Sequence, residues 1–111
     1  MREVVAKNRP RVQAKLTISH RYPPMAAVRR NLDVLAAYDE VSRDLGQGEL
    51  VANDPAQRGA GDSAFAAVHC AALDGLGPYG RGAHAEGETV NLQSFVPQVT
   101  RAALLIYRLT R

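Results

Sequence analysis

Residues 32–46 read LDVLAAYDEVSRDLG and carry the pattern of an amphipathic helix. Apolar side chains recur there at helical spacing, at Leu35, Tyr38, Val41 and Leu45. They share one face, which another part of the protein must cover. Gly46 follows, and glycine commonly ends a helix because it adopts the left-handed conformation without strain. The sequence therefore predicts a helix that starts between residues 26 and 31 and ends at Leu45.

Apolar segments on both sides of this helix predict strands. Residues 12–19 alternate between apolar and polar side chains, a pattern typical of a half-buried strand. Pro23 and Pro24 end that strand and lead into the helix through an extended connection. Residues 50–52 and 71–73 are short apolar runs, and each is a candidate for a buried strand.

Two further helices are predicted nearer the C-terminus. A short helix, capped by Asp62 or Ser63, is expected to run as far as Cys70. A last helix begins near Ser94, with Pro97 in its first turn, where proline loses no hydrogen bond. Little of its surface is polar, so it is expected to be largely buried against a sheet or another helix. This order of strands and helices predicts an α/β sandwich, in which helices cover a sheet.

The composition is that of a globular protein. The 111 residues are 46% hydrophobic and 23% charged, enough for one domain or for a piece of a larger one. The net charge is +3, but the basic residues are scattered, which favours a solvated surface over a nucleic-acid-binding face. The first residues, MREVVAKNRP, lack the apolar core of a signal peptide, and no apolar run reaches membrane-spanning length. These features predict a soluble protein, cytoplasmic as the chain is written, that binds neither nucleic acid nor membrane.

Cys70 is the only cysteine, which excludes an internal disulfide and a cysteine-rich metal site. Its neighbours in AAVHCAAL are apolar, so a small buried thiol is expected. The adjacent His69 lies in the same apolar stretch, where a core or surface role is favoured over metal binding.

Three segments combine residues that favour ligand binding. Residues 74–84 hold glycines that let the backbone approach a ligand, and His84 then follows as a plausible metal-binding imidazole. Residues 58–65 place small side chains before a helix N-terminus, a setting that suits anions. In residues 20–25, Arg21 precedes two prolines and is a candidate for binding a carboxylate.

Each of these segments also has a plainer interpretation. A protein zinc site needs three or four ligands, so His84 alone does not make one. Asp62 serves equally well as a helix cap, and Arg21 as an exposed residue at a hinge. On the residues alone these alternatives stay open.

Taken together, the segments resemble the C-terminal part of the zinc peptidase family that includes glutamate carboxypeptidase, aminoacylase and succinyl-diaminopimelate desuccinylase. The likeness is greatest to bacterial glutamate carboxypeptidase-like members, and it extends over nearly the whole chain. The matching strings are RYPPM (21–25), LDVLAAYDEVSRDLG (32–46), RGAGDSAF (58–65), LDGLGPYGRGAH (73–84) and NLQSFVPQVTRAALLIYRLTR (91–111).

The resemblance implies a fragment of a three-layer αβα zinc-peptidase catalytic domain. Residues 1–22 would be the last helix and strand of an inserted lid domain, which in this family usually also makes the dimer. Residues 23–111 would form the C-terminal part of the catalytic domain. The family binds two zinc ions and hydrolyses a peptide or acyl-amino-acid amide bond.

The resemblance also implies roles for individual residues. His84 occupies the position of a zinc ligand, and Arg21 that of an arginine which binds the terminal carboxylate of the substrate. The other residues expected to bind substrate are Gly59, Gly61, Asp62 and Gly82. The family's remaining zinc ligands and its glutamate general base belong to motifs that this sequence does not contain. We therefore expect no catalytic residue in this chain and no hydrolysis by the chain alone.

Two hypotheses follow. In the first, the chain is the C-terminal portion of a zinc-dependent carboxypeptidase or amidohydrolase. In the second, it is a non-catalytic module that has kept part of that fold and self-associates, because a piece of a sheet exposes an edge and an apolar face. A homo-oligomer is expected.

Overall fold

The described part of the chain, in a computed structural model, comprises residues 2–7, 11–19, 22–54 and 59–111. Its helices are α1 (Arg2–Ala6), α2 (Arg29–Asp44), α3 (Ser63–Ala66) and α4 (Phe95–Leu109). Its strands are β1 (Gly80–Arg81) and β2 (Thr89–Val90), and a short 3-10 helix, Leu92–Ser94, leads into α4. None of the helices in these ranges is long and apolar enough to cross a membrane.

The core lies between α2 and α4. Tyr38 and Val41 of α2 pack with Leu105 of α4, and all three side chains are buried. Partly buried apolar side chains surround them, at Ala37, Leu45, Leu50, Leu73, Leu76 and Leu104. The helix predicted in residues 26–45 is thus confirmed, and its apolar face is the face that packs.

The end of α2 has the predicted glycine turn. Gly46 has a φ of 67°, in the left-handed region. Its amide donates to the carbonyl of Arg43 at 2.9 Å, and the amide of Gln47 donates to the carbonyl of Ser42 at 2.8 Å. These are the two bonds of the Schellman motif, which satisfies carbonyls that a helix end otherwise leaves without partners.

The segment that follows α2 is tied back to the helix through Asp39. Its carboxylate accepts a 2.7 Å hydrogen bond from the amide of Leu50 and a 2.8 Å bond from Nε of Arg43. The amide of Leu50, followed by the Arg43 hydrogen bond, lowers the pKa of Asp39 because both favour the ionised carboxylate. The hydrogen bond to Asp39 holds Leu50 next to α2, where its side chain packs against the core.

The expectation that α4 is largely buried is wrong in this chain. Its inward face carries Gln98, Arg101 and Leu105, all buried. Its opposite face carries a run of exposed apolar side chains at Val96, Val99, Ala103 and Ile106. The reason is that α4 packs against α2 on one side only, and no described element covers the other side.

The strands predicted in residues 12–19, 50–52 and 71–73 are also wrong: none of these segments forms a strand, and the side chains of residues 12–19 are exposed. A strand requires a neighbour that completes its hydrogen-bond ladder. Within the described ranges the one ladder is between β1 and β2, which pair antiparallel with Gly80 opposite Val90 and Arg81 opposite Thr89. A sheet of two strands is too small to test a three-layer αβα architecture, which stays a prediction.

Helix α3 differs from its prediction in length and capping. It ends at Ala66 rather than Cys70, and neither Asp62 nor Ser63 caps it through a side-chain hydrogen bond to the helix backbone. The guanidinium of Arg30, on α2, donates hydrogen bonds to the backbone carbonyls of Ala67 and Val68, which follow α3. These carbonyls lie at the helix end, where helical hydrogen bonds do not satisfy them. Cys70 then lies beyond the helix with an exposed thiol, so the predicted burial of that thiol is wrong.

The chain leaves much more surface exposed than a closed domain of its size. Its accessible surface is 9305 Å², whereas a folded monomer of 12.0 kDa exposes about 6,000 Å². Its radius of gyration is 19.1 Å, against about 13 Å for a compact domain of this length. The facing sides of α2 and α4 therefore form one small core. Many other apolar side chains are exposed and are not covered by any described residue.

Candidate functional site

An open groove with a volume of about 780 Å³ lies beside α2. Its walls come from residues 22–27, 50–53, 59–61, 63–64 and 72–75. Most of the lining side chains are small or apolar, among them Leu35, Leu50 and Leu73. Gly59 and Gly61, two of the predicted substrate-binding residues, lie in this lining.

Residues 61–63 and 74–75 meet at one side of the groove. The hydroxyl of Ser63 donates to the carboxylate of Asp74 at 2.5 Å, and the amide of Gly75 donates to the same side chain at 2.7 Å. The α-carbon of Gly61 approaches the Asp74 carboxylate so closely that a β-carbon there would collide with it. The RGAGDSAF segment is thereby held against the LDGLGPYG segment.

A third segment, RYPPM, joins them through Tyr22. The Tyr22 ring packs edge-on against Phe65, with ring centroids 5.0 Å apart and an interplanar angle of 65°. Its hydroxyl lies 3.4 Å from the carboxylate of Asp62, a long hydrogen bond between two exposed groups. Asp62, a predicted substrate-binding residue, therefore stands beside the groove. Arg21, which precedes Tyr22, lies outside the described residues.

Asn31 connects two walls of the groove from within. Its amide group donates to the carbonyl of Ala26 at 2.9 Å, and its carbonyl oxygen accepts from the amide of Ala72 at 3.1 Å. The side chain is buried, so both bonds satisfy polar groups that are shielded from water. Asn31 thus fixes the distance between the segment before α2 and the segment after α3.

Polar groups of α2 and α4 meet in the lining of the groove. The guanidinium of Arg101 lies 5.4 Å from the centroid of the Tyr38 ring, and its Nε donates to the side-chain carbonyl of Gln47 at 2.9 Å. The Tyr38 hydroxyl lies 3.4 Å from the side-chain oxygen of Gln98. Burial raises the pKa of Tyr38, and the Arg101 charge acts in the opposite direction. The phenol is therefore neutral at physiological pH, and Arg101 is the charged group of this cluster.

The remaining two predicted site residues lie on a hairpin outside the groove lining. Gly82 and His84 belong to the loop between β1 and β2, both have left-handed φ values, 69° and 64°, and both are exposed. Histidine is among the residues that tolerate this conformation. The base of the hairpin is joined to the start of α4, because the amide of Tyr79 donates to the Ser94 hydroxyl at 2.9 Å.

The donor set for zinc is incomplete in the described residues. His84 offers an imidazole nitrogen, and Glu86 and Glu88 follow it on the same exposed loop. No group of three or more histidine, cysteine, aspartate or glutamate side chains in residues 2–7, 11–19, 22–54 and 59–111 comes together in a way that could hold a metal. A protein zinc site takes three or four ligands, so the residues described here do not fit a complete one.

Sequence reasoning missed Arg101 and Asn31 as residues of the groove. Arg101 had one detectable signal: it is the single charged residue in the stretch from Phe95 to Tyr107, which is otherwise apolar or uncharged. Asn31 had none, because an asparagine beside a predicted helix start is ordinary in a surface position.

Comparison of the chain with protein-family models, with curated proteins and with solved structures gives no match.

Proposed function

We propose that the chain is the C-terminal portion of a zinc-dependent carboxypeptidase or amidohydrolase, similar to glutamate carboxypeptidase. In this proposal the chain contributes substrate-binding loops and one zinc ligand, His84, to a site whose other zinc ligands come from another part of the protein. The substrate would be a peptide or an acyl-amino acid. The proposal rests first on the five sequence strings that resemble the family.

One structural observation supports it. Residues from three of those strings contact one another at the groove, through Tyr22 with Phe65 and Ser63 with Asp74. The strings are separated by up to about fifty positions along the chain, and loops that bind one substrate must come together in space. Gly59 and Gly61 lie in the lining of the same groove, whereas Gly82 and His84 lie on the hairpin outside that lining.

A test of this proposal begins with the coding sequence upstream of the Met1 codon. We expect an in-frame His-x-Asp motif and an adjacent Glu-Glu pair, the motifs that carry the family's other ligands. In the protein that includes them, His84→Ala should reduce zinc-dependent hydrolysis of an acyl-glutamate by more than about 100-fold. Residues that only orient a ligand typically cost 10–100-fold, so a true ligand should exceed that range.

His69→Ala provides the control, because His69 is also exposed but lies outside the motif. It should leave both zinc content and rate unchanged. The chain alone, supplied with zinc, should show no chelator-sensitive hydrolysis. Two tightly bound zinc ions per copy of this chain, or equal losses from both histidine variants, would count against the proposal.

The second candidate function is a self-associating, non-catalytic module, and the exposed face of α4 supports it. Val96, Val99, Ala103 and Ile106 are spaced by three, four and three residues, which is the seam spacing of helices that pack side by side.

We expect the purified chain to form oligomers that the double substitution Val99→Lys and Ile106→Lys converts to monomers, because two ammonium groups cannot be buried in an apolar seam. Light scattering coupled to size-exclusion chromatography measures the mass. Glu40→Lys is the matched control, since it adds the same two units of positive charge at an exposed position on α2. A monomeric parent chain, or an oligomer that the double substitution leaves intact, contradicts this candidate.

A further inference from the structure

Arg101 carries a positive charge that no described carboxylate neutralises. Its side chain lies on the inward face of α4, and the residue is 5% exposed. The ion pairs within the described residues all lie elsewhere, and they join Arg29 to Asp33, Arg43 to Asp39 and Glu49, and Arg108 to Asp44. The side chains of those three arginines are 40–90% exposed, whereas Arg101 is buried at the wall of the groove.

The neighbours of Arg101 are polar but uncharged. Nε donates to the neutral amide of Gln47, and the guanidinium lies over the ring of Tyr38, whose phenol is neutral. An ion removed from water is costly unless an opposite charge and hydrogen bonds replace the lost hydration. A guanidinium has five N–H groups in a planar fork that matches a carboxylate. Among the described residues, the partners of this guanidinium are thus neutral side chains, and none supplies an opposite charge.

The groove that Arg101 lines has the properties of a small-molecule site. Its volume of about 780 Å³ falls within the roughly 300–1,000 Å³ of such sites, which are mostly apolar with a few convergent polar groups. Here the apolar part comes from Leu35, Leu50 and Leu73, and the polar groups from Tyr38, Gln98 and Arg101.

We propose that this groove binds a small molecule with one carboxylate on an apolar body, and that Arg101 pairs with the carboxylate. The single guanidinium selects a monoanion, because the second charge of a phosphate dianion would be left unpaired among apolar walls. The apolar walls take the body of the ligand, which removes it from water. This inference goes beyond the proposed hydrolase, because it requires neither metal nor bond cleavage.

Binding is tested by NMR on the isotope-labelled full chain in the presence of a metal chelator, with hexanoate as the probe and hexanamide as its uncharged counterpart. Hexanoate should shift the Arg101 Nε–H resonance and the groove amides saturably, with an affinity in the millimolar range or tighter. Hexanamide should bind at least about tenfold more weakly, because it cannot form the charge-assisted pair. Inorganic phosphate should not compete.

Arg101→Gln should reduce hexanoate binding by the same factor, whereas Arg108→Gln, on the exposed part of α4, should not change it. If Arg101→Gln does not fold, the comparison of hexanoate with hexanamide on the parent chain decides the matter alone. Equal binding of acid and amide, no saturable shift with hexanoate, or competition by phosphate overturns the proposal. Binding of an aspartate-containing peptide, such as acetyl-Val-Asp-Val-amide, without binding of hexanoate also overturns the proposal. Because the chelator removes zinc, a failure here is distinct from a failure of the hydrolase proposal.

Discussion

Leu105→Ala is expected to lower the free energy of unfolding by about 2–5 kcal/mol, the range measured for leucine-to-alanine changes in protein cores. Leu105 is 5% exposed and is the residue through which α4 meets Tyr38 and Val41. The substitution removes apolar contacts and leaves a cavity between the two helices. Small domains are stable by only about 5–15 kcal/mol, so this one change should remove a large part of the chain's free energy of unfolding.

Leu109→Ala is the matched control for this prediction. Leu109 lies one turn further along α4, and it is 58% exposed. Its truncation should change the free energy of unfolding by no more than about 0.5 kcal/mol. Urea denaturation followed by circular dichroism gives both values. Equal destabilisation by the two substitutions would show that the α2–α4 contact is not the core of the folded chain.

Gly80→Ala is expected to open the hairpin that carries His84. A β-carbon at position 80 would lie 2.6 Å from the backbone carbonyl oxygen of Thr89, on the opposite strand. A backbone atom cannot rotate away as a side chain can, so the strands must separate. Overpacking of this kind costs about 1–3 kcal/mol, and the hairpin has only two paired residues on each strand to resist it.

Hydrogen exchange measures this change at the amide of Asn91, which donates to the carbonyl of Tyr79 at 2.7 Å and so reports on the hairpin base. Its exchange should accelerate by about 5- to 150-fold, the factor that corresponds to 1–3 kcal/mol. Gly77→Ala is the control, because a β-carbon at position 77 meets no atom within 4 Å. Unchanged protection of Asn91 in Gly80→Ala would disprove the close packing of the two strands.

The helices were predictable because their hydrogen bonds are local. The apolar spacing in α2 and the glycine after it are both visible in the sequence, and the structure has the helix and its Schellman turn where they were predicted. The start of α4 was also predictable, since proline in a first turn needs no hydrogen bond. A helix carries its own hydrogen-bond partners within four residues, so short-range pattern is sufficient to find it.

The strands were not predictable in the same way. Residues 12–19 have an alternating pattern, and yet they form no strand, because no described segment pairs with them in a hydrogen-bond ladder. The strands that do form, β1 and β2, flank the turn that carries His84, and the sequence predicted no strand at either position. Their pairing depends on how the chain turns back on itself, and amino-acid preference contributes little to so short a ladder.

The candidate site was predicted in its parts but not in its arrangement. The expectation that Gly59, Gly61 and Asp62 belong to a ligand-binding loop stays a prediction, and the structure places these residues in or beside the groove. His84 and Gly82 lie on the hairpin and are not part of the groove lining. Spacing along the chain cannot reveal such a separation, because the relative position of two loops is set by the contacts of everything between them.

Arg101 shows most clearly what the tertiary structure alone decided. The amino-acid sequence by itself determined that α4 is a helix and that most of its circumference is apolar. Which side faces inward was decided by the packing of Leu105 on α2, and that choice also buried Gln98 and Arg101 and left Val96 and Val99 exposed. Helix formation depends on neighbours in the chain, whereas the orientation of a helix depends on surfaces that are distant in sequence and become neighbours only in the folded protein.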